Sequence, residues 1–237
     1  SDSFARGWGC ASCACSRKSC RARSPVEVMS PIWIALCTLG EALGIGIVAT
    51  VYAALDRGVL HWVEIWVLAA GAAEGVCLGA AQAVFLRKAA FSPLAWIALT
   101  VLAAATGYGL SLVGGAGTAS SASAEEPSLP LLLILGAAMG LAMGALLGLP
   151  QWVGARKQIA PIPWIAANAL GWAPAMAVIM LAATSVEREW PLGMVALVGA
   201  GAGAAAGLFV GAATSFALPR LHGAAPRYET TGRSGTS

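Results

Sequence analysis

From Pro31 to Ala54 the chain carries one charged side chain, Glu41. Further runs of similar length are almost as poor in charge, and this restricts the fold more than any other feature. About 20 apolar residues in a helix cross a ~30 Å hydrocarbon core. A water-soluble fold would have to cover all of these runs, and too little polar sequence remains to do so. Hydrophobic residues make up 58% of the chain and charged ones 11%, with mean hydropathy +0.77, whereas soluble domains carry about 25% charged residues. Within lipid only helices and closed barrels satisfy their own backbone. A barrel would alternate polar and apolar residues, and these runs do not.

The predicted class is therefore an all-α integral membrane protein with six transmembrane helices, at 31–55, 60–86, 93–114, 129–153, 163–184 and 191–218. All but two of the 14 Lys and Arg fall on one side: before the first span, after the last, and at the pairs Arg87-Lys88 and Arg156-Lys157. Arg57 and Arg188 are the exceptions, and their side holds Asp56, Glu64, Glu125, Glu126, Glu187 and Glu189. Basic loops face the cytoplasm, so both termini are expected there, in a plasma (inner) membrane. Trp33, Trp96 and Trp164 then fall at the cytoplasmic interface, with Trp62, Trp66 and Trp190 near the outer one, as an aromatic belt.

The spans are related to one another. WIALCTLGEALG opens at Trp33, WIALTVLAAATG at Trp96 and WIAANALGWAPA at Trp164, each just after a proline. GAAEGVCLGAAQ ends at Gln82, GLAMGALLGLPQ at Gln151 and GAAAGLFVGAAT at Thr214, each followed by basic residues. This reads as three parallel two-helix repeats, about 31–90, 91–158 and 159–218, within a membrane domain of 29–218. The even spans carry glycine at every fourth position: Gly71, Gly75 and Gly79; Gly136, Gly140, Gly144 and Gly148; Gly199, Gly203, Gly207 and Gly211. Lipid offers no hydrophobic drive between helices, so small residues that allow close approach supply the packing. The ladders are expected to line contacts among the even helices, or between each and its own odd partner.

Glu41 and Glu74 are the acids inside the spans, about 15 Å and about 20 Å from the same side at 1.5 Å per residue. No Lys or Arg lies in a span to pair with them. A charged acid at mid-bilayer costs on the order of 2.5–3.5 kcal/mol. Two readings stand: protonated acids bonded to backbone carbonyls, or a pair that shares a proton or cation. The other repeats place Ala104 and Trp172 at the position of Glu41, and Met143 and Ala206 at that of Glu74, so the pair belongs to one repeat. Gln82, Gln151 and Thr214 share one repeat position near the cytoplasmic end, and either bond between helices or ring a central path. Asn168 needs a partner inside the membrane, expected on a neighbouring helix. Pro174, three residues after Gly171, reads as a hinge or a static kink. Cys37 and Cys77 read as apolar packing.

The outer parts of the chain differ in kind. Cys10, Cys13, Cys15 and Cys20 have the ligand type of a tetrahedral zinc site, with no His nearby. Residues 1–28 are read instead as a disordered or non-native cytoplasmic extension ahead of Met29, residues 113–128 as a flexible outer loop and 219–237 as a disordered cytoplasmic tail. No metal and no cofactor is expected. HExxH, GxSxG and phosphate-loop patterns do not occur, so no enzyme is predicted. The expected partners are the lipid bilayer, a further copy of the chain or a membrane subunit, and no nucleic acid.

GALLGLPQWVGARK followed by PWIAANALGW resembles a pattern of uncharacterised bacterial multi-pass membrane proteins, which repeat G-x3-G-x2-Q-W, a basic pair, then W-x3-N-x-L-G-W. The matching residues are Gly144, Gly148, Gln151, Trp152, Arg156 and Lys157, then Trp164, Asn168, Leu170, Gly171 and Trp172. Ala83 stands where the pattern has Trp, and Thr214 where it has Gln. The resemblance implies the fold and location and carries no activity. Two functions remain open: a non-enzymatic scaffold or accessory subunit, or a small transporter or channel for protons, cations or a small solute through Glu41 and Glu74.

Overall fold

The computed structural model describes residues 31–87, 92–118 and 128–218, with side chains in the second segment described as far as residue 113. Its elements are α1 (Pro31–Asp56), α2 (Val63–Leu86), α3 (Pro93–Thr118), α4 (Leu129–Ala155), α5 (Pro161–Thr184) and α6 (Leu192–Ser215). All six are long and apolar enough to cross a membrane. Large apolar side chains such as Leu39, Leu102, Leu170 and Leu197 stand on the outer surface, 60–74% exposed. In water this surface would drive aggregation; in hydrocarbon it is the solvated face. The expected Cys10–Cys20 cluster, the extension 1–28 and the tail 219–237 lie outside the described residues.

Local chemistry sets the helix starts. Pro31, Pro93 and Pro161 each occupy a first helical position, where the missing N–H is no loss and φ is already helical. The Ser92 hydroxyl accepts a hydrogen bond from the Ala95 N–H at 3.3 Å, capping α3. Between α1 and α2 the chain turns through Gly58 at φ 69° and Trp62 at φ 66°. Trp62 pays that left-handed backbone in an exposed turn, where its indole lies free on the surface. Pro150 and Pro174 lie inside α4 and α5, and both helices run on through them, so Pro174 does not break α5. α3 continues to Thr118, which takes several residues from the loop expected over 113–128.

Each helix packs on its neighbours in the chain, and α6 returns to pack on α1. The six close into a ring whose tightest pairs are α6 with α1, α4 with α5 and α2 with α3. Glycines lie where these pairs approach closely. A Cβ added at Gly79, Gly148 or Gly211 would come 3.1, 3.1 or 2.9 Å from the Cα of Ile97, Ile165 or Ile34. One turn further, a Cβ at Gly75, Gly144 or Gly207 would come 2.6, 2.6 or 2.5 Å from the Cα of Val101, Ala169 or Thr38. Gly136 and Gly140 meet Ala177 and Ala173 in the same way, Gly71 meets Tyr108, and Gly199 and Gly203 meet Ile45. These faces therefore look neither at one another nor at the odd helix of the same hairpin, the two contacts expected from the sequence. They look at the next odd helix along the ring. Within hairpins a further contact is made where Gly40 meets Leu78 and Gly171 meets Val210. The seams between hairpins have the longer interface to close.

Bulky groups fill the space inside these thin walls. Trp33, Trp96 and Trp164 are 0–1% exposed. Trp164 stacks edge-on against both others, with ring centroids 6.3 Å from Trp33 and 5.6 Å from Trp96. The expected interfacial belt at these residues is thus corrected. With glycine and alanine along the seams, only large side chains can fill the middle, so the indoles turn inward. Edge-on aromatic pairs add about 0.5–1.5 kcal/mol beyond their burial.

Candidate functional site

The end of the ring where α1 begins and α6 finishes is sealed by a polar layer around the tryptophans. Trp33 Nε1 donates to Thr214 Oγ1 at 2.8 Å, joining α1 to α6. Trp96 Nε1 donates to Gln82 Oε1 at 3.0 Å, joining α3 to α2. Gln151 Nε2 donates to Gln82 Oε1 at 3.2 Å and to Thr100 Oγ1 at 3.0 Å, joining α4 to α2 and α3. Gln82 Nε2 donates to Cys37 Sγ at 3.7 Å, so Cys37 is part of the polar layer as well as of the core. Trp164 Nε1 and Gln151 Oε1, at the corresponding place between α5 and α4, are both buried and have no partner among the described residues. The Gln82, Gln151 and Thr214 side chains thus bond between helices. Leu86, Ala155 and Leu218 close the layer on one side, and Leu78, Leu147 and Val210 on the other, all at most 3% exposed.

Asn168 does not reach another helix. Its Nδ2 donates to Trp164 O, one turn back, at 3.0 Å. Gly144 and Gly148 bring the α4 backbone onto Asn168 so closely that the amide closes on its own helix.

Beyond this plug lie the two acids. Glu41 is 0% and Glu74 3% exposed, and their charges are near enough to interact. Gly44, one turn along α1 from Glu41, makes room for Glu74: a Cβ there would come 2.8 Å from Glu74 Cγ. The Tyr108 hydroxyl, on α3, donates to Glu74 Oε2. Neither oxygen of Glu41 has a partner among the described residues, so the carbonyl-bonded arrangement does not hold for it. The Trp172 indole N–H, at the equivalent position on α5, is also buried without a partner among the described residues.

Glu74 and Tyr108 form the floor of a cavity of about 380 Å³ between the helices. Met139, Met143, Met176 and Met180 line it, together with Tyr52 and Trp172. A recess of about 340 Å³ shares Tyr52 and Val186 with it and is edged by Asp56, Arg57, Glu187 and Arg188. Arg188 Nε lies 3.4 Å from Asp56 Oδ2, and both side chains are exposed. The cavity therefore extends from the end of the ring opposite the tryptophans to a buried carboxylate, and stops there. Among the described residues no group of three or more His, Cys, Asp or Glu could hold a metal.

Sequence reasoning brought Glu41 and Glu74 together and missed Tyr108. A signal was available. Only 3 tyrosines occur in the chain, and Tyr108 lies twelve residues past Trp96, about 18 Å along its helix, near the depth of both acids. A phenol that deep in a membrane span needs a partner.

Fold and site together define a multi-pass helical membrane protein with a buried acid cluster under a blind cavity. Comparison with family models, with curated proteins and with solved structures gives no match.

Proposed function

We propose that this chain is a small membrane transporter in which Glu41 and Glu74 couple solute movement to a proton or cation. The observation that carries this reading is the cavity that ends on Glu74, with a tryptophan and glutamine plug behind it. A blind path that reaches an acid at mid-membrane is one half of an alternating-access cycle. A scaffold or accessory subunit has no use for such a cavity. The coupling logic is electrostatic. Two buried carboxylates whose charges interact cannot both stay charged cheaply, so a shared proton or cation lowers the cost of the pair.

The architecture we propose for it is three parallel two-helix units packed through glycine ladders. Its support is the threefold recurrence of the glycine contacts with Ile34, Ile97 and Ile165, and the indole-to-polar bonds of Trp33 and Trp96. Differences among the units then mark the specialised positions, and both acids fall in the first. We place the protein in the plasma (inner) membrane with both ends cytoplasmic, on the distribution of Lys and Arg. The cavity would then open outward.

The test is proton uptake into proteoliposomes under an imposed potassium–valinomycin potential, followed with an entrapped pH dye. Wild-type protein is expected to show uptake above empty liposomes, and the Glu41→Gln, Glu74→Gln double variant to lose it while staying monodisperse. No flux from the wild type, or equal flux from the variant, sinks the transport reading.

A further inference from the structure

The lining of the cavity points to a class of ligand. We propose that the cavity binds a hydrophobic organic monocation, with its charge at Glu74 and its apolar body among the methionines and aromatic rings. This deepens the transporter reading and rests on it for the ligand's onward passage, but not for its binding.

Several observations converge. The walls are almost wholly apolar, so a strongly hydrated ion such as sodium would find no replacement for its water shell. Among the described residues, none lining the deep cavity is Lys, Arg or His, so none of them supplies a cation to neutralise the acid at its floor. Tyr108 is the donor that Glu74 does have, and a phenol leaves the carboxylate's charge in place. The remaining lining groups favour a cation with an apolar body. Tyr52, Tyr108 and Trp172 are aromatic lining residues, and a ring face attracts a cation by its quadrupole. The thioethers of Met139, Met143, Met176 and Met180 are polarisable and adapt to the ligand's shape. A volume of about 380 Å³ suits a drug-sized molecule, for which pockets run to about 300–1,000 Å³.

The route in fits the same chemistry. Among neighbouring helices in the ring, α3 and α4 touch least, and Met139 on α4 both lines the cavity and is 43% exposed. A lipophilic cation dissolved in the outer part of a bilayer can approach there. A hydrophilic solute would have to come by the rim at Asp56 and Glu187.

The experiment is equilibrium binding to the full chain in nanodiscs, using tetraphenylphosphonium and tetraphenylborate, which share shape and greasiness and differ in sign. Tetraphenylphosphonium is expected to bind saturably, with tetraphenylborate at least tenfold weaker. Glu74→Gln is expected to weaken the phosphonium at least tenfold and to narrow the difference between the two ions. Glu74→Asp, which keeps the charge, is expected to stay within about threefold of wild type. It also guards against a folding defect in the Gln variant. Equal binding of the two ions, or undiminished phosphonium binding by a monodisperse Glu74→Gln, overturns the proposal and leaves a lipid-filled void in its place. Proton uptake without phosphonium binding refutes the ligand class and spares transport. Phosphonium binding without any flux supports the site and refutes transport.

Discussion

Gln82 holds three neighbouring helices with one amide: Cys37 on α1, Trp96 on α3 and Gln151 on α4. Replacing it with Leu removes the acceptor used by both Trp96 and Gln151. A buried polar group stripped of its partner costs about 1–3 kcal/mol. Gln82→Leu is therefore expected to lower the thermal unfolding midpoint in detergent, and an unchanged midpoint would show that the polar layer contributes nothing. The glycines give a sharper contrast. Gly144→Val and Gly207→Val push side chains into the backbones of α5 and α1, whereas Gly193 and Gly201 face open space within 4 Å. Overpacking costs about 1–3 kcal/mol, so the Val variants should lose stability or monodispersity and Gly201→Ala should match wild type. At this scale the sequence was a good guide to which residues matter, because polar groups and glycine ladders are conspicuous in an apolar chain. It was a poor guide to their partners. Asn168 closes on its own helix and Tyr108 reaches across to Glu74, and both choices depend on how closely the next helix approaches.

Helix by helix, the ring is fastened at seams that join the end of one hairpin to the start of the next. The α6–α1 seam is the most informative, since it joins the first helix to the last. A Cβ on Gly46 would stand 3.4 Å from the Cβ of Ala200, close to the span of a disulfide. In a background without other cysteines, Gly46→Cys with Ala200→Cys is expected to cross-link on mild oxidation. Protease cleavage engineered into the α3–α4 loop should then leave fragments that separate only after reduction. Failure to cross-link would mean that the ring does not close between α1 and α6. The exposed pair Arg188–Asp56 near this seam is a different matter. Solvent-exposed ion pairs contribute about 0–1 kcal/mol, so Asp56→Asn should scarcely move the unfolding midpoint.

For the whole molecule, the decisive property is that the interior is open from one end and shut at the other. Ala202 and Ala206 are one turn apart on α6, yet Ala202 lines the cavity and Ala206 does not. Introduced singly into a cysteine-free chain, Ala202→Cys is expected to react with a water-borne thiol reagent and Ala206→Cys to resist it. Equal reactivity would place the floor of the cavity elsewhere. Charge bias predicts that the reagent works from the outside, and adding it separately to right-side-out and inverted vesicles tests that orientation.

The sequence by itself determined that the chain is helical and crosses the membrane, because hydrocarbon leaves the backbone no other solution over runs this long and this apolar. It also determined that two acids lie at similar depth, since depth in a membrane helix is a matter of counting residues. Rotation about each helix axis, and hence which neighbour a face meets, is not counted along the chain. It follows from the fit of all six surfaces at once. Only the tertiary structure decided that the ladders join successive hairpins, that the tryptophans fill the centre instead of ringing the edge, and that Tyr108 stands over Glu74 at the end of a cavity.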